Sequence, residues 1–219
     1  MMNAKVSGLL GVAVLVLSAN GCGDTGEPTE TVSGSVLNGQ WSPWFSDAYP
    51  YGSADCLPHP SGNDHTVVEG IQCSGRYCDN MRLNCRYLPS GFSDTALGGV
   101  TLNYISEESP NNFEYCPSNS VMVGMVTNGS YSDNIALQCH YVNFPPQGVS
   151  CRWTTWLSEE QGTLYFDPEP NRPGLGVAIG VSCSGSYCDN MQFLACEPQC
   201  TSSADCGAYA CVNGLCRVP

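Results

Sequence analysis

Residues 70–85 read GIQCSGRYCDNMRLNC, and this stretch decides the fold because it recurs twice. Residues 124–139 read GMVTNGSYSDNIALQC, and residues 180–196 read GVSCSGSYCDNMQFLAC. Met81, Leu83 and Cys85 alternate with Arg82 and Asn84, and Ile135, Leu137 and Cys139 alternate with Ala136 and Gln138. A period of two puts the apolar set on one face of a strand. Short β-prone runs precede each copy at Val67–Ile71, Val121–Met125 and Gly176–Val181. The shared G-x-Y-x-D-N segment has turn chemistry: Gly supplies positive φ, and Asp and Asn fold back on their own backbone. The third copy has one residue more before its last cysteine, which is expected as a strand bulge.

Working outward, each copy is preceded by a second shared element. It begins at Trp41, Thr101 and Trp153 and continues through Trp44-Phe45-Ser46-Asp47, Tyr104-Ile105-Ser106-Glu107 and Trp156-Leu157-Ser158-Glu159. Three units of three or four strands each predict an all-β, pseudo-threefold β-prism, or a β-trefoil-like body, over residues 40–198. The repeats run from about 41–88, 101–142 and 151–198. The four tryptophans, Trp41, Trp44, Trp153 and Trp156, are expected in the prism interior as its largest apolar groups.

Composition narrows the function. Twenty acidic residues face seven basic ones for a net charge of −13, which excludes nucleic acid as a partner. Gly 24, Pro 15 and Cys 15 argue against a helical bundle. Residues 1–21, with Lys5 and the apolar run Leu9–Leu17, read as a signal peptide. Cys22 then reads as a lipidated cysteine, with plain secretion as the alternative. Residues 22–39 are a polar tether, and the mature chain, having lost Lys5, carries −14. Localisation is expected in the bacterial cell envelope, anchored at the outer membrane surface by lipid alone.

Fifteen cysteines less Cys22 leave an even set for disulfides. The second copy replaces both Cys73 and Cys78, by Thr127 and Ser132, so Cys73–Cys78 and Cys183–Cys188 read as local clamps. It keeps Cys116 and Cys139, giving Cys116–Cys139 and, by position, Cys56–Cys85. Cys151–Cys196 follows as the nearest spare pair. Residues 199–219 form a small stapled tail, read as Cys200–Cys211 and Cys206–Cys216. Zinc is set aside because an exported chain matures under oxidising conditions.

The stretch Ser93–Leu102, and Cys116-Pro117 followed by Val-Gly-Met, Ser-Asp-Asn and Leu-Gln-Cys139, resemble the vitelline membrane outer layer proteins. That resemblance implies a three-sheet β-prism and carbohydrate binding. The repeated units also look like those of secreted bacterial proteins with three cysteine-rich repeats. The two Cys-x4-Cys loops depart from the egg-layer pattern. The candidate ligand site is the set Tyr77, Asp79 and Asn80, Tyr131, Asp133 and Asn134, and Tyr187, Asp189 and Asn190: a stacking ring beside a hydrogen-bonding fork, or else turns capping themselves. Glu107/Glu108 and Glu159/Glu160 read as solvated acids rather than a calcium site. His59, His65 and His140 fit no metal motif, and no nucleophile elbow or phosphate loop occurs. No cofactor, metal or catalytic residue is called. The expected function is non-catalytic glycan binding at the cell surface. The alternative is a structural envelope or extracellular-matrix protein making protein–protein contacts, and a carbohydrate-active hydrolase comes third.

Overall fold

The computed structural model describes residues 40–46, 52–56, 66–89, 91–108, 112–160, 162–166, 176–206, 210–212 and 214–217. The expected signal peptide, Cys22, the tether, Asp47, His59 and His65 lie outside the described residues. Among the described residues, no helix is long and apolar enough to cross a membrane.

The fold is all-β and built as three antiparallel sheets. Strands β1 (Gln40–Trp41), β2 (Phe45–Ser46), β4 (Thr66–Ser74) and β5 (Asn80–Tyr87) come from the first repeat. With β11 (Thr163–Tyr165) they make sheet 1, in the order β1-β5-β4-β11, β2 also pairing with β5. Sheet 2 is β3-β8-β9-β6, from β3 (Gly52–Asp55), β6 (Ser93–Thr101), β8 (Ser120–Asn128) and β9 (Asn134–Asn143). Sheet 3 is β10-β13-β12-β7, from β7 (Phe113–Tyr115), β10 (Val149–Trp153), β12 (Val177–Ser184) and β13 (Asn190–Pro198). Each repeat lends one strand to the next sheet: β3 joins β8, β7 joins β12, and β11 joins β4. No repeat completes a sheet alone, so the three units are folded into one body. Because the sheets stay separate around a shared core, the prism form of the expectation is the one observed.

The alternation read in the sequence sets the core. Met81 and Leu83, Ile135 and Leu137, and Met191 and Phe193 are buried at the centre with Phe45, Ile105 and Leu157. Val67, Val121 and Val177 gather with Phe92 and Val142 in a second cluster near the strand ends away from the G-x-Y-x-D-N turns. The bulge lies elsewhere than expected. It sits in the middle strand of all three repeats, where the register shifts between Val68 and Gly70, Met122 and Gly124, and Ala178 and Gly180. Ala195 opposes Ala178 just as Cys85 opposes Val68 and Cys139 opposes Met122. Nothing is inserted in β13 there; Cys196 simply occupies the next position.

Seven disulfides join Cys56–Cys85, Cys73–Cys78, Cys116–Cys139, Cys151–Cys196, Cys183–Cys188, Cys200–Cys211 and Cys206–Cys216, the pairs read from the sequence. Such a set assigns the fold to an oxidising, exported setting. Two of them secure the strand exchange. Cys56 follows β3 in sheet 2 but bonds Cys85 in sheet 1, and Cys116 follows β7 in sheet 3 but bonds Cys139 in sheet 2. At the equivalent positions the third repeat has Phe166 after β11 and Ala195 in β13, and Phe166 is buried against Phe193 with ring centroids 5.1 Å apart. The tail hairpin β14 (Ala210–Val212) and β15 (Leu215–Arg217) meets the body through the Gln199–Leu215 bridge.

The tryptophans are not in the interior. Trp41 and Trp44 are half-buried, and Trp153 and Trp156 are exposed, while the next residues along, Phe45 and Leu157, fill the core. The chain kinks at Ser42 and at Thr154. There the side-chain hydroxyl accepts the N–H of Leu83 or Phe193 at 2.9 Å in place of a backbone carbonyl. Beyond that break Phe45 and Leu157, not Trp44 and Trp156, lie on the inner face.

Candidate functional site

The three G-x-Y-x-D-N turns meet at one end of the prism. Gly75, Gly129 and Gly185 hold φ of 78°, 86° and 79° with ψ near 180°, a region open to glycine alone. A Cβ on any of them would overlap the Oδ1 of Asp79, Asp133 or Asp189. Each Asp Oδ1 accepts a hydrogen bond from the next Asn side chain, at 2.8, 2.6 and 2.7 Å. The Asp–Asn pair is thus folded beneath its own glycine and engaged within the turn.

The tyrosines behave differently. Tyr77, Tyr131 and Tyr187 all adopt left-handed backbone angles near φ 60°, ψ 30°, and the residue after each is also left-handed. For residues with a Cβ this costs roughly 1–2 kcal/mol per position. The geometry turns the rings toward one another on the pseudo-threefold axis. Their centroids lie 5.5 Å (Tyr77–Tyr131), 5.1 Å (Tyr77–Tyr187) and 5.3 Å (Tyr131–Tyr187) apart. Tyr131 stays 38% and Tyr187 36% exposed. The Arg76 guanidinium lies 4.7 Å from the Tyr77 ring centroid and donates to its hydroxyl at 2.8 Å. Glu159 from the third repeat accepts the Tyr77 N–H at 2.9 Å, so one acid read as solvated orders this cap.

Beneath the rings the turns interlock in a cycle. Ser132 Oγ donates to the Asp79 carbonyl at 3.4 Å. The disulfide sulfurs of Cys188 and Cys78 lie 3.4 and 3.6 Å from the Asp133 and Asp189 carbonyls. Repeat two therefore exchanges a disulfide clamp for a hydroxyl at the same place and keeps the same tyrosine angles. Of the nine residues named from sequence, the three rings converge, Tyr131 and Tyr187 exposed and Tyr77 half-buried, while the three Asp–Asn pairs shape the turns below. The Sγ atoms of Cys200, Cys206 and Cys216 lie within 4.8 Å of one another, but all three are in disulfides and offer no thiolate to a metal.

No protein-family model matches this chain, and no curated protein or solved structure matches it. The likeness to the egg-layer prisms stands on the quoted motifs alone.

Sequence reasoning passed over the strands lent between repeats, and with them Tyr115 and Tyr165. The legible signal was the glycine that follows each bulge, Gly70, Gly124 and Gly180, over which their neighbours lean. Asp55 lies over Gly124, and burial raises its pKa above the ordinary 3.8, partly offset by a backbone hydrogen bond. Burial likewise raises Glu69 above 4.5 against the opposing pull of Arg86, 3.8 Å away. A carboxyl whose folded pKa is raised holds its proton more tightly in the native state. Stability then falls as pH rises from the unfolded value through the folded one. Melting curves should therefore show the wild type losing stability across that window. Asp55→Asn with Glu69→Gln should flatten the loss, and an unchanged profile would contradict the assignment.

Proposed function

We propose that this protein is an exported, non-catalytic binding body that recognises glycans, held at the bacterial outer membrane surface by a lipid on Cys22. The observation that carries the reading is the tyrosine cap. Three rings are held together at a solvent-facing end by backbone conformations that cost energy in every repeat, and strain of this kind gathers where a side chain must be presented. Tyrosine gives a flat apolar face for a sugar ring and a hydroxyl at its edge. The turns beneath hold the rings in place before any ligand arrives, which lowers the entropy cost of binding. The acidic balance of the mature chain favours neutral sugars over anionic ones.

The internal engagement of the Asp–Asn pairs favours a second reading, a disulfide-stapled structural protein of the envelope whose contacts are with other proteins. A glycan array separates the two. Tyr77→Asn, Tyr131→Asn and Tyr187→Asn together remove the rings with a residue that tolerates left-handed angles. This folded variant should lose at least one glycan of the parent's profile by roughly tenfold, about 1.4 kcal/mol. If it keeps the whole profile, the cap is packing, and if the parent binds no glycan, the structural reading stands.

A further inference from the structure

Two outer faces of the prism carry aromatic floors that the third lacks among the described residues. On sheet 3, Trp153, Leu194, Gly180 and Tyr115 form one rung across all four strands. On sheet 1 the equivalent rung is Trp41, Asn84, Gly70 and Tyr165. On sheet 2 it is Thr101, Gln138, Gly124 and Asp55. The glycine makes the floor possible. A Cβ at Gly180 would come 2.7 Å from Tyr115 Cδ1, and one at Gly70 2.8 Å from Tyr165 Cδ1. With no side chain in the way, rings rooted on the two outer strands lean inward and meet. Tyr115 and Trp153 have centroids 6.0 Å apart, and Trp41 and Tyr165 5.9 Å.

Sheet 2 serves as an internal control. Its glycine is covered by Asp55 and the Gln138 side chain, so a glycine rung is stable without aromatic cover. The exposed rings therefore need a reason beyond sheet stability, because they stay open to water: Tyr165 on sheet 1 is 48% exposed beside a half-buried Trp41, and on sheet 3 Tyr115 is 44%, Phe113 40% and Trp153 36% exposed. Phe113 extends the floor of sheet 3, its ring 5.3 Å from that of Tyr115, over the next rung of Ser182 and Gln192. Beneath the rings of sheet 1, Asn84 is buried with no hydrogen-bond partner on Oδ1. Arg82 is placed between Trp41 and Trp44, 4.9 and 4.6 Å from their rings, and bonds Gln72.

We infer that the outer faces of sheets 1 and 3 are two stacking sites for a neutral oligosaccharide, separate from the tyrosine cap. The inference rests on the glycan-binding reading and adds where a sugar chain lies and of what charge. Aromatic rings offer their faces to the C–H surface of a pyranose. The rung beside the sheet 3 floor supplies the half-buried amide of Gln192 for sugar hydroxyls, Ser182 being buried next to Phe113. On sheet 3 these two rungs carry no ionised group, on sheet 1 the Arg82 guanidinium is engaged by Trp41, Trp44 and Gln72, and the chain's net charge is strongly negative, which selects a neutral ligand over an anionic one. Rings joined from Phe113 to Trp153 suit a chain of sugar units rather than a single one.

The test is calorimetric titration of the full mature protein with neutral hexasaccharides of glucose and of N-acetylglucosamine. Variants copy the solution that sheet 2 already uses: Trp153→Thr with Tyr115→Asp, and Trp41→Thr with Tyr165→Asp. Each pair should weaken or remove one of two sites by roughly tenfold or more, and the two pairs together should abolish binding. The triple tyrosine-to-asparagine variant of the cap should leave the hexasaccharide isotherm unchanged. Parent-like binding by the folded face variants overturns this inference and leaves the glycan reading intact. Failure of the parent to bind any hexasaccharide overturns the inference, and a blank glycan array as well would remove the reading itself. Concentration-dependent self-association that vanishes in the sheet 3 variant, without sugar binding, overturns the inference in favour of a second copy of this chain.

Discussion

Gly185→Ala is expected to cost about 2–6 kcal/mol of folding stability, a large share of what a domain of this size holds. Two effects add. The backbone at φ 79° and ψ 176° belongs to glycine alone, and forcing a Cβ there costs roughly 1–3 kcal/mol. The new Cβ also overlaps Asp189 Oδ1, which must then leave its place beneath the glycine and its bond to Asn190. Displacing a part-buried carboxylate from its donor adds roughly 1–3 kcal/mol. Gly98→Ala is the comparison: its φ is 75°, but no atom lies within 4 Å of the added Cβ, so only the backbone effect applies. Chemical denaturation without reductant measures both. Asp189→Ala should relieve part of the Gly185→Ala penalty, giving a double variant less damaged than the sum. Equal losses at Gly185 and Gly98 would show that the Asp beneath the glycine plays no part.

The same turn shows how much the sequence could say. Its three-fold recurrence, the strand period of Met81-Leu83-Cys85 and the paired loss of Cys73 and Cys78 are local patterns, and each carries its physical meaning within about twenty residues. They were sufficient for three sheets, their buried faces and the disulfide pairs. The strand exchange was not legible, because β3, β7 and β11 pair with a neighbouring repeat, and no local pattern records a partner so distant in the chain. That gap displaced the tryptophans. Trp41 and Trp153 read as core on their apolar size, and the outward neighbours that hold them outside, Tyr165 and Tyr115, arrive on strands from other repeats. The convergence of Tyr77, Tyr131 and Tyr187 was hidden in the same way. G-x-Y-x-D-N reports a turn, but only the pseudo-threefold axis brings three turns together.

Removing the Cys116–Cys139 bond as Cys116→Ala with Cys139→Ala should cost about 3–4 kcal/mol. Chain entropy predicts that loss for a closed loop of this size, the cysteines being 23 positions apart in sequence. The location makes the cost structural as well. Cys116 ends the strand that repeat two lends to sheet 3, and Cys139 lies in the sheet that repeat two keeps. The bond ties an exported strand back to its origin. Repeat three meets the same need with Phe166 and Ala195, burying an aromatic ring against Phe193 where the other repeats use sulfur. Cys116→Phe with Cys139→Ala copies that arrangement into repeat two. A buried Phe contributes about 1.5–3 kcal/mol by leaving water, less whatever strain it meets beside Leu137, the smaller counterpart of Phe193. The Phe/Ala variant should therefore melt above the Ala/Ala variant and below the parent. If the two melt together, Phe166 fills space without holding the exchanged strand, and β11 must be kept on sheet 1 by its pairing with β4 alone.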